Sequence, residues 1–254
     1  YLLPEYCGLQ LLWPEARPAH GAALMAAAAD LAPDYGRRIA ALAQRFGLWI
    51  VGGSIPERAA DGRLRNACFI ASPRGRLWRQ AKCLMTQWER DFGVQGGEEL
   101  LVFQTAAASF AVAICYDVEV PELARQAGAA GAELLLVPSF TEAHWGARRV
   151  ARCAAGIAES SQMVVATAGL AGSLPLVELD ASCARSAIYA PSYPGFPPDG
   201  LYAQAPPDED QLLLADVDLA LLRQVRSGAD VNPLRDAPLG PAVRCRRIAP
   251  GEVA

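Results

Sequence analysis

The sequence predicts an α/β fold, either a mixed sheet or two packed sheets, with helices on the outside. Three observations carry that reading. Short apolar runs rich in Val, Ile and Leu alternate with stretches of helical period. Several neighbouring strand-like runs are joined by turns too short to hold a helix, as at Pro73-Arg74-Gly75. No repeat, low-complexity tract or linker divides the 254 residues, so one domain over 1–254 is the simplest organisation. Residues 240–254, rich in Pro and Arg, read as a C-terminal arm or tail.

Residues 1–3 look like the end of a strand stopped by Pro4. Cys7 to Pro18 reads as a loop or short helix containing Trp13. Residues 20–47 read as helical. Ile39, Leu42, Ala43 and Phe46 fall at helical spacing, and Gly47 is a good terminator. Leu48 to Ser54 is a strand. Asn66 to Ser72 and Leu77 to Cys83 form a hairpin, and a loop follows through Gly97. Leu100 to Phe103 is a short strand, then comes the strand 109–115. A helix over 121–130 follows, with Pro121 at its first position, where a missing N–H costs nothing. Leu134 to Pro138 is a buried strand, 146–161 a helix, and Met163 to Ala168 a strand. Arg185 to Ala190 and Leu212 to Val217 read as two more strands, and Leu219 to Arg226 as a short helix.

Net charge is -4 and the pI about 5.3, which points away from nucleic-acid and membrane-surface partners. No stretch reaches the roughly 18 to 20 apolar residues that a membrane helix needs. Seven widely spaced cysteines without a C-x-x-C pair fit neither a disulfide framework nor a zinc motif. They suit a reducing cytoplasm. With only His20 and His144 in the chain, a Cys–His catalytic pair has few candidates.

Chemistry points to Phe110-Ala111-Val112-Ala113-Ile114-Cys115-Tyr116-Asp117. Cys115 is expected at the carboxyl end of a core strand, facing a helix start, where open α/β sheets place ligands and where thiolate is favoured. It also reads as a buried structural cysteine. Three further stretches stand out: Pro4-Glu5-Tyr6 after a strand end, Lys82 at a strand end, and Glu89 in Thr86-Gln87-Trp88-Glu89-Arg90. Taken singly, each is also what a solvated surface charge looks like.

Together and in this order, Pro4-Glu5-Tyr6, Lys82 with Leu84 and Glu89, and Cys115-Tyr116-Asp117 with Pro121-Glu122 resemble the motifs of the nitrilase superfamily of carbon–nitrogen hydrolases. The likeness runs from residue 1 to about 236. Val137-Pro138-Ser139 and Ile157-Ala158-Glu159 agree with it. The stretch from Ser186 to Leu219 is similar to a branch sometimes fused to an acetyltransferase domain. The resemblance implies a four-layer α-β-β-α sandwich, with a first strand and helix expected upstream of Tyr1. Gly156-Ile157 stands where the family often has Arg-Ala, and Cys83 where His is frequent.

The resemblance also implies a mechanism. Glu5 is the general base, Cys115 the nucleophile, and Lys82 with the Tyr116 backbone N–H the oxyanion partners. Glu89 positions substrate and the Lys82–Glu5 pair. A thioester hydrolase of small linear amides is expected, with nitrile or carbamoyl hydrolysis and a degenerate binding or scaffold protein as alternatives. No metal or organic cofactor is expected, and a homodimer or larger assembly is. Trp88, Phe140, His144 and Trp145 are candidate substrate contacts, with Tyr189, Tyr193 and Phe196 further possible wall residues. Each of these aromatics reads equally as loop packing.

Overall fold

The computed structural model describes residues 1–12, 20–173 and 181–237. Trp13 and the expected arm over 240–254 lie outside them. Residues 1–3 run parallel to strand β1 (Ile50–Arg58), with Leu3 N–H donating to the Val51 carbonyl at 2.9 Å. A short 3-10 turn (Cys7–Leu12) precedes helix α1 (Ala22–Phe46), which ends at Gly47 with φ 66. Strand β1 pairs antiparallel with β2 (Leu64–Ala71), and β2 with β3 (Leu77–Ala81), so the expected hairpin is present. These three strands are one sheet.

The second sheet has six strands in chain order: β4 (Val102–Gln104), β5 (Ser109–Val112), β6 (Leu134–Ser139), β7 (Val164–Gly169), β8 (Ala187–Tyr189) and β9 (Leu201–Gln204). β5, β6 and β7 are parallel and the outer pairings are antiparallel. Helices α3 (Pro121–Ala129) and α4 (His144–Ser160) cross over between the parallel strands, and α5 (Leu219–Gly228) and α6 (Pro233–Asp236) follow β9.

Strand β2 shows how the layers are made. Its side chains alternate with the pleat. Ala67, Phe69 and Ala71 pack with α1 residues such as Tyr35 and Ile39, while Cys68 and Ile70 join the core of the second sheet with Leu135 and Val165. The far face of that second sheet carries α3 and α4, with Ala124, Val150 and Ile157 in the same core. The order is helix, sheet, sheet, helix, the expected four-layer sandwich. Trp49 and Trp78 stack at 5.7 Å beside Phe103 and Phe110 at 4.9 Å, joining the two sheets at one edge.

Several expectations are corrected. Leu212 to Val217 forms no strand. The run passes β9, the edge strand of the sheet, without joining it: the Asp216 carbonyl is taken by Tyr202 Oη, and Leu212 and Leu214 lie exposed. The expected loop before Gly97 contains a short helix α2 (Gln87–Asp91). Helix α4 starts at His144, two residues early. Strand β5 ends at Val112, and Cys115 opens a 3-10 turn (Cys115–Glu119) rather than closing the strand.

Candidate active site

Glu5, Lys82, Glu89 and Cys115 meet at one end of the sandwich. Parallel strands β5 and β6 deliver Cys115 and Phe140 just beyond their carboxyl ends. Lys82 follows β3, pinned by its N–H on the Asn66 carbonyl and by its own carbonyl accepting from Gly97 N–H, both at 2.8 Å. Glu5 follows the segment that runs beside β1, and the next residue, Tyr6, adopts φ 57 with its N–H on Ser54 Oγ.

Five buried side chains form one network. Lys82 Nζ donates to Glu5 Oε1 at 2.9 Å and to Glu89 Oε2 at 2.8 Å. Asn66 Nδ2 bridges Glu5 Oε1 and Glu89 Oε1 at 2.9 and 3.0 Å. Tyr6 Oη donates to Glu89 Oε1 at 2.9 Å. Glu5 Oε2 accepts from Phe140 N–H at 2.8 Å. Glu89 is also the third residue of a capping box, with its carboxylate on Thr86 N–H and Thr86 Oγ1 on Glu89 N–H. It is therefore a buried anchor, not part of a surface charge cluster with Arg90 and Asp91.

Two carboxylates share one ammonium, so the network carries a surplus negative charge away from water. Burial raises the Glu5 pKa, and the nearby Lys82 offsets this only in part. Burial acts on Glu89 in the same sense, but Lys82 and the hydrogen bonds from Thr86 and Asn66 together outweigh it and hold Glu89 low. Burial works against the charge on Lys82. Glu5, Cys115 and Glu89 reverse that and push its pKa up, so Lys82 stays a cation.

Cys115 sits at φ 48, a left-handed conformation that a side chain rarely adopts. Asp117 holds the turn. Its carboxylate accepts from Ile114 N–H at 3.0 Å and Leu84 N–H at 2.8 Å, and from Cys83 N–H, tying the cysteine turn to the segment after Lys82. The Cys115 thiol donates to the Phe140 carbonyl at 3.3 Å. Burial and Glu5 drive its pKa well up. The expected help of a helix N-terminus does not prevail, so the resting group is a thiol that needs a base.

A cavity of about 280 Å³ opens over these groups. Tyr116, Trp88, Phe140 and Trp145 line it, and so do Glu119, Glu142 and Arg149. His144 does not. On α4, residues 145, 146 and 149 face this cavity, while 144, 148 and 152 face another, so the helical phase turns His144 away. Tyr189 belongs to the main core and Phe196 and Tyr193 pack near α5, so these three are not wall residues. Asn66, Tyr6, Thr86 and Asp117 are site-supporting residues to which the sequence assigned no role. Only Thr86 had a readable signal, its capping-box spacing to Glu89.

A family model for carbon-nitrogen hydrolase matches residues 10–227. The chain belongs to the carbon–nitrogen hydrolase family. Lys82, Glu89 and Cys115 lie inside the matched stretch and Glu5 just ahead of it. The chain is 34% identical over 207 residues to "Probable hydrolase YhcX" of Bacillus subtilis (strain 168), covering 80% of this chain and 40% of that protein. It thus spans well under half the length of that relative. It is 28% identical over 215 residues to Omega-amidase NIT2 of Xenopus tropicalis, covering 78% of this chain and 71% of that one. Among solved structures, a carbon-nitrogen hydrolase from Helicobacter pylori aligns with a TM-score of 0.71 at 18% identity, over 96% of this chain and 82% of that one. Saccharomyces cerevisiae Nit3, a member of branch 10 of the nitrilase superfamily, aligns with a TM-score of 0.68 at 22% identity, over 78% and 70%. At these identities the structures speak for the fold. Among the described residues no helix is long and apolar enough to cross a membrane.

Proposed function

We propose that this carbon–nitrogen hydrolase is an amidase. It cleaves the C–N bond of a small linear amide through a thioester on Cys115 and releases ammonia or an amine. The observation that carries this reading is the buried Glu5–Lys82–Glu89 network set against a protonated, strained cysteine at the floor of a cavity. A thiol with a raised pKa needs a base within reach, and a carboxylate with a raised pKa is suited to the work.

Glu5 takes the Cys115 proton as sulfur attacks the carbonyl carbon. The carbonyl π electrons move to oxygen, and Lys82 Nζ and the Tyr116 N–H stabilise the oxyanion. The intermediate collapses, and the departing nitrogen leaves with the proton from Glu5. Water then loses a proton to Glu5 and attacks the thioester, which releases the acid and restores the thiol. Glu89, fixed by Thr86, Tyr6 and Asn66, holds Lys82 between the two carboxylates throughout.

The name of the Xenopus relative supports an amide at the end of a chain as substrate. The likeness over 186–219 supports placing the chain near the acetyltransferase-fused branch. Free cysteines support a reducing, cytoplasmic setting, and we expect a homodimer or larger assembly. The test is ammonia release from a panel of small amides, nitriles and carbamoyl compounds, by the parent and by Cys115→Ala. Release from amides by the parent alone supports the reading. Preference for nitriles or carbamoyl compounds replaces it by the sister chemistry on the same residues. Release by Cys115→Ala at the parent rate overturns the cysteine mechanism.

A further inference from the structure

Away from the catalytic cavity, His144, Cys183 and Asp208 converge from three parts of the chain: the start of α4, the segment before β8 and the loop after β9. Their ligand-capable atoms all lie within 4.8 Å of one another, and His144 Nδ1 is 4.0 Å from Asp208 Oδ2. Among the described residues this is the one group of three such side chains so gathered.

The backbone beneath them is pinned. Asp208 has φ 60, its N–H donates to the Ala184 carbonyl at 2.8 Å, and its Oδ1 accepts from Ala184 N–H at 2.7 Å. That leaves Oδ2 as the carboxylate oxygen nearest His144. Cys183 N–H donates to the Thr141 carbonyl at 2.8 Å, and Thr141 Oγ1 donates to the Cys183 carbonyl at 2.6 Å. A carboxylate oriented by a second hydrogen bond is what an oriented metal ligand needs.

We propose that His144, Cys183 and Asp208 bind one zinc-class divalent ion, with solvent completing the coordination. The donor set decides the class. One imidazole, one thiolate and one carboxylate suit a borderline metal in a tetrahedral site. Calcium and magnesium would need more oxygen ligands than the three side chains offer. Arg148, Arg152 and Arg185 line the cavity that His144 faces. Their charge works against a dication held by neutral ligands, but thiolate and carboxylate together cancel the charge of the ion.

Binding forms one bond each from metal to nitrogen, sulfur and oxygen. It breaks the S–H bond of Cys183 and releases that proton to solvent, so affinity rises with pH. The site is separate from the catalytic groups but tied to them. Thr141, bonded twice to Cys183, lines the catalytic cavity next to Phe140. A bound ion therefore stiffens one wall of that cavity without entering it.

The test is a cobalt(II) titration of the chelator-treated, reduced protein, followed by optical absorption and by zinc competition. It reads binding and does not depend on turnover. The parent and Cys115→Ala should each take up one equivalent, with a thiolate charge-transfer band and tetrahedral visible bands. Cys183→Ser should lose the charge-transfer band. His144→Ala and Asp208→Asn should weaken binding by at least the 10- to 100-fold seen for loss of a supporting ligand contact, roughly. Asn keeps the Oδ1 acceptor and tolerates positive φ, so Asp208→Asn should fold. No uptake by the parent overturns the proposal. So does a charge-transfer band that survives Cys183→Ser and disappears in Cys115→Ala.

Discussion

Glu5 and Cys115 are both held on the backbone of Phe140: Glu5 Oε2 accepts its N–H at 2.8 Å, and the Cys115 thiol donates to its carbonyl at 3.3 Å. One residue at the end of β6 thus sets where the base and the nucleophile stand. Glu5→Gln keeps an acceptor for Phe140 N–H but cannot take a proton. We expect the variant to fold, by circular dichroism, and to lose about 10²- to 10⁴-fold in kcat on the same amide. A rate within tenfold of the parent would remove Glu5 from proton transfer.

Lys82 answers for both rate and stability. Removing it takes away an oxyanion partner, worth about 3 to 4 kcal/mol of transition-state stabilisation by analogy with other oxyanion donors. It also leaves Glu5 and Glu89 facing each other without a cation in a buried site, which costs about 3 to 5 kcal/mol of stability when one partner of a buried pair is deleted. Lys82→Ala should show both, by kcat at a temperature where it is folded and by its urea midpoint. Near-normal turnover in the folded variant would sink the oxyanion role.

The pH profile follows from Glu5. The working base is the carboxylate, so kcat/KM should rise with pH as Glu5 loses its proton. Burial raises that pKa, so the acid limb should lie above the ordinary carboxylate range. The Lys82 pKa is also raised, so loss of its charge should set no alkaline limb near neutrality. An acid limb below the ordinary carboxylate range would contradict the assignment.

Gly53 places Glu5 from behind. It has φ +65, and a Cβ there would overlap the Pro4 carbonyl oxygen and approach Cys7 Sγ. Gly53→Ala should destabilise the fold by at least about 1 to 2 kcal/mol through the left-handed backbone alone. It should also lower kcat by displacing the Pro4-Glu5 peptide. A parent-like kcat with parent-like stability, from activity and thermal melts, would contradict this placement.

The parts of the site that lie close together in sequence were legible there. The apolar run before Cys115 and Pro121 at a helix start give a turn between strand and helix from a few residues. The short turn at Pro73-Arg74-Gly75 made the hairpin legible but left one mixed sheet and two packed sheets both open, and only the family resemblance implied the two-sheet sandwich. Glu89 was not legible as a buried residue. Its neighbours Arg90 and Asp91 point outward, and its partners Tyr6 and Asn66 come from elsewhere in the chain. His144 was misplaced because it was read outside the helix; as the first residue of α4 it lies about 100° round the axis from Trp145, on the side facing the other cavity. Leu212 to Val217 has the composition of a strand, but composition does not say whether a run will join a sheet edge, and this one passes β9 unpaired with Leu212 and Leu214 exposed.

Acid quench of the working enzyme, followed by intact-protein and peptide mass spectrometry, tests the central claim most directly. During turnover of a small amide, the Cys115 peptide should carry the mass of the acyl group as a hydroxylamine-labile thioester. Steady turnover with no acyl mass on Cys115, or with the acyl group on another cysteine, would contradict the account.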